Sequence, residues 1–107
     1  MIYDAFLFFN EFDLLKIRLE ELKDGVDRFV LVEAPITYSG AGKPLYFELY
    51  RDLFSEYSDR ITHHVVPDMP RLATISRYTR QFHQRNSIGA ALELAGCRPE
   101  DVVLVSD

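Results

Sequence analysis

Pro99-Glu100-Asp101-Val102-Val103-Leu104-Val105-Ser106-Asp107 closes the chain with an apolar run that ends on a carboxylate. Val and Leu without polar alternation form the pattern of a parallel strand buried on both faces. Ligands of open sheets built from such strands sit outside their carboxyl ends. Asp107 is therefore a candidate functional group, and the rest of the chain is read as the scaffold that places it. No helix follows to cover the strand's exit and no partner group follows the aspartate, so the sequence reads as a truncated domain.

Working back from this strand, Thr74 to Ala95 has the pattern of a long helix, closed by Gly96 with Pro99 just beyond. Arg77, Arg80 and Arg85 fall here and Arg71 just before, with no acidic residue between Met69 and Leu92. Two readings compete at even weight: a solvated face paired with carboxylates of a neighbour, and an anion site. Tyr78, Phe82, Asn86 and Gly89 recur at spacings of four, four and three, which turns Asn86 inward, where a buried amide needs partners.

Ile61 to Val66 reads as another strand, stopped by Pro67-Asp68-Met69-Pro70. His63 and His64 are neighbours, so on a strand they point to opposite faces and cannot chelate one ion; ordinary polar contacts are the expectation. Between Leu45 and Tyr57, Phe47, Tyr50, Phe54 and Tyr57 share one helical face and are expected in the core. Ala34 to Pro44 is loop. Its Gly-Ala-Gly-Lys ends on Pro44 where a phosphate loop would place Ser or Thr, which sets that reading aside.

Phe29-Val30-Leu31-Val32 repeats the buried-strand pattern and ends on Glu33. Phe12, Leu15, Leu19 and Leu22 mark an amphipathic helix, with Asn10 placed to cap its start and Gly25 to supply a left-handed stop. Ile2 to Phe9 is short and aromatic-rich, and reads as the first strand. The sum is βαβαβαβ with short connections. That order implies an α/β fold, a Rossmann-like, mostly parallel sheet with helices on both faces and right-handed crossovers. The groups following its strands, Asn10-Glu11, Glu33, Asp68 and Asp107, gather on one rim. Carboxylates holding a divalent cation, with arginines close by, suit a nucleotide diphosphate.

Composition bounds the partners. The 107 residues are 48% hydrophobic, enough for one packed core, and 17 acidic against 12 basic residues give a net charge of -5. An acidic chain of this kind lacks the basic footprint of a nucleic-acid or anionic-membrane binder. The single cysteine, Cys97, cannot form an internal disulfide and is expected buried and inert. With no leader pattern and no apolar stretch near the roughly 18 residues of a membrane span, a cytoplasmic location is the expectation.

The run Met1-Ile-Tyr-Asp-Ala-Phe-Leu-Phe-Phe-Asn-Glu-Phe-Asp-Leu-Leu-Lys-Ile-Arg-Leu-Glu-Glu-Leu22, with Phe29-Val-Leu-Val-Glu-Ala34, Ser39-Gly40, Lys43-Pro-Leu-Tyr-Phe47, Gln84-Arg-Asn86 and Val102-Val-Leu-Val-Ser-Asp107, resembles the opening of family 17 glycosyltransferases. The resemblance covers essentially the whole chain in order. It implies the N-terminal, donor-binding half of a GT-A fold across residues 1–107. It also implies transfer of a sugar, N-acetylglucosamine in the characterised branch, from a UDP-sugar donor to a glycan or other hydroxyl acceptor, inverting and assisted by manganese or magnesium. Asp107 matches the first aspartate of the family's Asp-x-Asp motif and would bear on the metal. Asn10 and Glu33, at strand ends, are candidates for nucleotide contacts, and Arg85 and Asn86 for the phosphate or sugar. The second aspartate lies beyond the sequence, and the animal enzymes' membrane anchor has no counterpart in it, so a Golgi location does not carry over. Alternatives from other classes are a noncatalytic α/β interaction module and a Rossmann-like phosphatase or nucleotidyl enzyme. Self-association through faces left bare is a further expectation.

Overall fold

The computed structural model describes residues 1–37, 41–66 and 77–106, with side chains for all of these except 77–79, 81, 82 and 106. Its elements are β1 (Ile2–Leu7), α1 (Phe12–Leu22), β2 (Arg28–Glu33), α2 (Tyr46–Leu49), a 3-10 helix (Arg51–Arg60), β3 (Ile61–Val65), α3 (Arg77–Leu94) and β4 (Val102–Ser106). The four strands form one sheet in the order β3-β2-β1-β4. Every pair is parallel, with Ala5 opposite Val30 on one side and Val105 on the other. The chain steps from β1 outward to β3, then returns across the sheet to lay β4 against β1. The strand order therefore reverses between β1 and β4.

Because side chains alternate along each strand, the sheet buries two faces. Ala5, Leu7, Val30 and Val32 pack under α3 with Ile88 and Ala91. Phe6, Phe8, Phe29 and Leu31 pack under α1 and the α2 region with Leu15, Leu19, Phe47, Phe54 and Tyr57. β1 and β2, covered on both faces, are buried almost throughout. Leu19 is fully enclosed, and burying a leucine side chain contributes about 1.5–3 kcal/mol. β4 differs: Val102, Leu104 and Val105 are 55%, 44% and 54% exposed, and Leu14 and Ile17 on the outer flank of α1 are exposed as well.

Several local expectations need correction. Asn10 does not cap α1. Glu11 holds the capping position without a side-chain cap bond, because its carboxylate turns back to accept the Phe9 amide at 3.2 Å. Gly25 does not supply a left-handed stop, since Gly96, at φ 86°, is the one glycine with positive φ among the described residues. The end of α1 is closed from outside instead: the Arg60 guanidinium donates to the carbonyls of Lys23 and Val26. The segment from Leu45 to Tyr57 is not one helix. After α2 it tightens into the 3-10 helix, kinked at Phe54, which has non-helical φ/ψ. Phe47, Phe54 and Tyr57 are core as expected, whereas Tyr50 is half exposed, its ring 5.3 Å from that of Phe12.

The inward stripe of α3 is Arg80, Gln84, Ile88 and Ala91, two residues out of phase with the expected one. Asn86 and Gly89 are exposed, and the side chains of Tyr78 and Phe82 lie outside the described residues. The phase is set by Ile88 and Ala91, which meet the sheet. Cys97 is half-buried and not enclosed.

Candidate functional site

All four strands end on one rim. From β1 the chain leaves through Phe8 and Phe9 to Asn10, which is exposed, and Glu11. Next to them a cavity of about 210 Å³ opens, lined by Phe6, Phe8, Phe9, Glu11, Leu14 and Arg18 among others. Phe6 is in register with Ser106 of β4, so the cavity stands beside the β1/β4 reversal, on the α1 face. One wall is held by an ion pair. Arg18 grips the carboxylate of Asp4, buried in mid-strand, through Nε at 2.5 Å and Nη2 at 2.6 Å, and its guanidinium lies 4.4 Å from the centre of the Phe6 ring. A pair of this kind is weak evidence for stability, but stranding either charge would cost several kcal/mol.

Glu33, the last residue of β2, is fully buried beneath α2. Its Oε1 accepts from Lys43 Nζ at 3.4 Å and from the Phe47 amide at 3.2 Å. Oε2 lies 2.9 Å from His63 Nε2. His63 Nδ1 in turn lies 3.1 Å from an Arg51 nitrogen. A guanidinium only donates, so Nδ1 accepts and the ring proton sits on Nε2, where it donates to Glu33. The carboxylate thereby ties the loop before α2 to the sheet, and both of its oxygens are engaged. His64, in register with Val32 on the opposite face, is held below the usual histidine range by burial and, secondarily, by His63.

On the α3 face, Arg80 and Gln84 are 2% and 0% exposed. Gln84 Nε2 donates to the Val32 carbonyl at 3.4 Å, an oxygen that already accepts the Phe8 amide at 2.9 Å. Among the described residues, Gln84 Oε1 is buried without a hydrogen-bond partner. An unmet buried acceptor costs about 1–3 kcal/mol.

Of the residues expected to form the site, Asn10 and Glu33 stand at the carboxyl ends of neighbouring strands, Glu33 enclosed and Asn10 open. Arg85 and Asn86 are exposed on α3, on the side turned away from the sheet. Asp68, Arg71 and Asp107 lie outside the described residues. Among the described residues no group of three His, Cys, Asp or Glu could hold a metal ion. His63 makes the ordinary polar contacts expected of it, with Glu33 and Arg51; Lys43, Arg51 and Gln84 are polar groups near the rim that the sequence alone does not single out. Gln84 and His63 each carried a signal, a polar residue at a position the final register places inside.

Residues 1–107 match the sequence model of Glycosyltransferase family 17. The chain belongs to glycosyltransferase family 17. Two curated relatives, the human and rat β-1,4-mannosyl-glycoprotein 4-β-N-acetylglucosaminyltransferases, are each 31% identical to it over 105 residues, 92% of this chain and 19% of the relative. This family 17 chain thus spans about a fifth of the length of the curated relatives it matches. No solved structure matches it. Among the described residues of this family 17 chain, no helix is long and apolar enough to cross a membrane.

Proposed function

We propose that this chain is the donor-binding part of a family 17 transferase that moves N-acetylglucosamine from a UDP-sugar to a glycan hydroxyl, with inversion and with a divalent cation. The observation that carries the reading is the match of the whole chain to the family, joined to a parallel sheet whose strand order reverses beside an aromatic-walled cavity. Such reversals are where open α/β sheets bind nucleotides. Asn10 is the exposed group at the end of β1 and would meet the nucleotide. Glu33 supports the rim by holding Lys43 and the start of α2. Asp107 would bear on manganese or magnesium, whose chemistry is to offset charge on the leaving diphosphate. Arg85 and Asn86 would reach phosphate or sugar from the open side of α3.

Calorimetric titration with UDP, with and without manganese, tests this on the chain and its Asp107→Asn and Arg85→Ala variants. Binding is expected to be weak, with Kd on the order of 1 mM, about 4 kcal/mol. Asp107→Asn should remove only the metal-dependent part, and Arg85→Ala should weaken binding in both conditions, because a guanidinium contacts phosphate directly. A chain that binds no nucleotide in either condition would return the noncatalytic module as the reading.

A further inference from the structure

Polar residues inside a helix–sheet seam are expected to be fully bonded, and one that is not calls for a reason outside the fold's own stability. α3 supplies such a case. Its buried stripe is apolar where Ile88 and Ala91 meet the sheet and polar nearer its start, at Arg80 and Gln84. In a parallel sheet the helix after a strand begins at the carboxyl rim, so the polar part of the stripe is the part nearest that rim, on the sheet face opposite the aromatic-walled cavity. The Gln84 amide reaches the carbonyl of Val32, one residue from the end of β2, by a long bond of 3.4 Å to an oxygen that also accepts the Phe8 amide. Its own oxygen meets no donor among the described residues. A leucine or methionine would fill the same space without leaving an acceptor unmet.

We propose that Gln84 is a specificity-determining ligand contact of the rim, its Oε1 reserved for an N–H or O–H group of the donor. The assignment rests on the reading of the rim as a nucleotide-sugar site. The tether to Val32 is weak enough to release, and the side chain's three rotatable bonds let the amide turn toward the rim when a ligand offers the hydrogen it lacks. Two parts of a nucleotide sugar present such hydrogens: the base imide, and the sugar's hydroxyl and acetamido groups. Both chemistries ask for the same acceptor.

The test follows the Gln84 side-chain amide resonances of the full chain by NMR during titration with UDP, and separately with N-acetylglucosamine 1-phosphate, alongside Gln84→Met. Movement with UDP alone assigns the base, and movement with the sugar phosphate assigns the sugar. Gln84→Met is expected to melt above the parent, since it removes an unmet acceptor, while binding the responsible ligand about two- to tenfold more weakly, the loss of one neutral hydrogen bond. A variant that melts below the parent, or binds as the parent does, overturns the proposal. So does an amide resonance that stays still while other rim resonances move, which needs no variant to fold. Should the parent bind neither ligand, the donor-site reading falls and takes this one with it; binding by the parent with an indifferent Gln84 fells the proposal alone.

Discussion

Replacing Glu33 with Leu strands a buried cation. The carboxylate is fully enclosed and accepts from Lys43 at 3.4 Å, the Phe47 amide at 3.2 Å and His63 at 2.9 Å. Removing one partner of a buried pair costs about 3–5 kcal/mol, because the other charge stays uncompensated. Lys43, whose side chain is 8% exposed and already donates to the Pro44 carbonyl, can carry its ammonium toward water on its flexible stem, which places the expectation near 3 kcal/mol. Against a total of about 5–15 kcal/mol for a domain, that is a large loss, and at about 4–8 °C per kcal/mol it lowers Tm by roughly 12–24 °C. Glu33→Gln keeps one oxygen, for the Phe47 amide, but turns an N–H toward the His63 donor and leaves Lys43 without its counter-charge, so it should cost about as much as Glu33→Leu. Adding Lys43→Met to Glu33→Leu removes the stranded charge and should restore at least about 1 kcal/mol. Urea unfolding followed by circular dichroism measures all four chains, provided the slope with denaturant stays constant. If the Leu variant unfolds within about 1 kcal/mol of the parent, or Lys43→Met fails to rescue it, the carboxylate is not the hub described.

Arg18→Met should cost about 3–5 kcal/mol by leaving Asp4 buried and unpaired, and unfolding titrations would find it among the most damaging surface-reaching substitutions. Gly96→Ala forces a side chain onto φ 86° and should cost about 1 kcal/mol, read from the shift of the urea midpoint. His64 titrates below its ordinary 6.5 in the folded chain, so below that pH the unfolded state binds more protons. Its contribution is complete above pH 6.5 and is lost as pH falls toward the folded value; His64→Gln should flatten this part of a stability–pH curve. We expect the chain to self-associate through β4, whose Val102, Leu104 and Val105 are about half exposed, and Leu104→Lys to shift sedimentation toward monomer.

The strands were legible because Phe29 to Val32 and Val102 to Val105 are unbroken apolar runs, a pattern that needs no knowledge of neighbours. Their parallel order followed from alternation with helices. The phase of α3 was not legible: Tyr78 and Phe82 suggested one stripe, and only contact with Val32 and the sheet selects Arg80, Gln84, Ile88 and Ala91. Glu33 was recognisable as a strand-end carboxylate, but its partnership with His63, thirty positions away, depends on β2 and β3 being neighbours in register. Asn10 failed as a cap because Glu11, one residue on, competes for the same turn and bonds the Phe9 amide.

The central place of β1 has a consequence for synthesis. Its first edge pairs with β2, but the second waits for β4, with Ile2 opposite Val102. A ribosome adding about 5–20 residues per second leaves that second edge open for roughly 5–20 s. During this interval Ile2-Tyr3-Asp4-Ala5-Phe6-Leu7-Phe8-Phe9 is the kind of aromatic run that nascent chains pair with one another, and Asp4 is the one charge in it. A charge inside such a run discourages pairing with another copy. The carboxylate that Arg18 neutralises in the finished fold thus acts, earlier, as the gatekeeper of an unfinished strand.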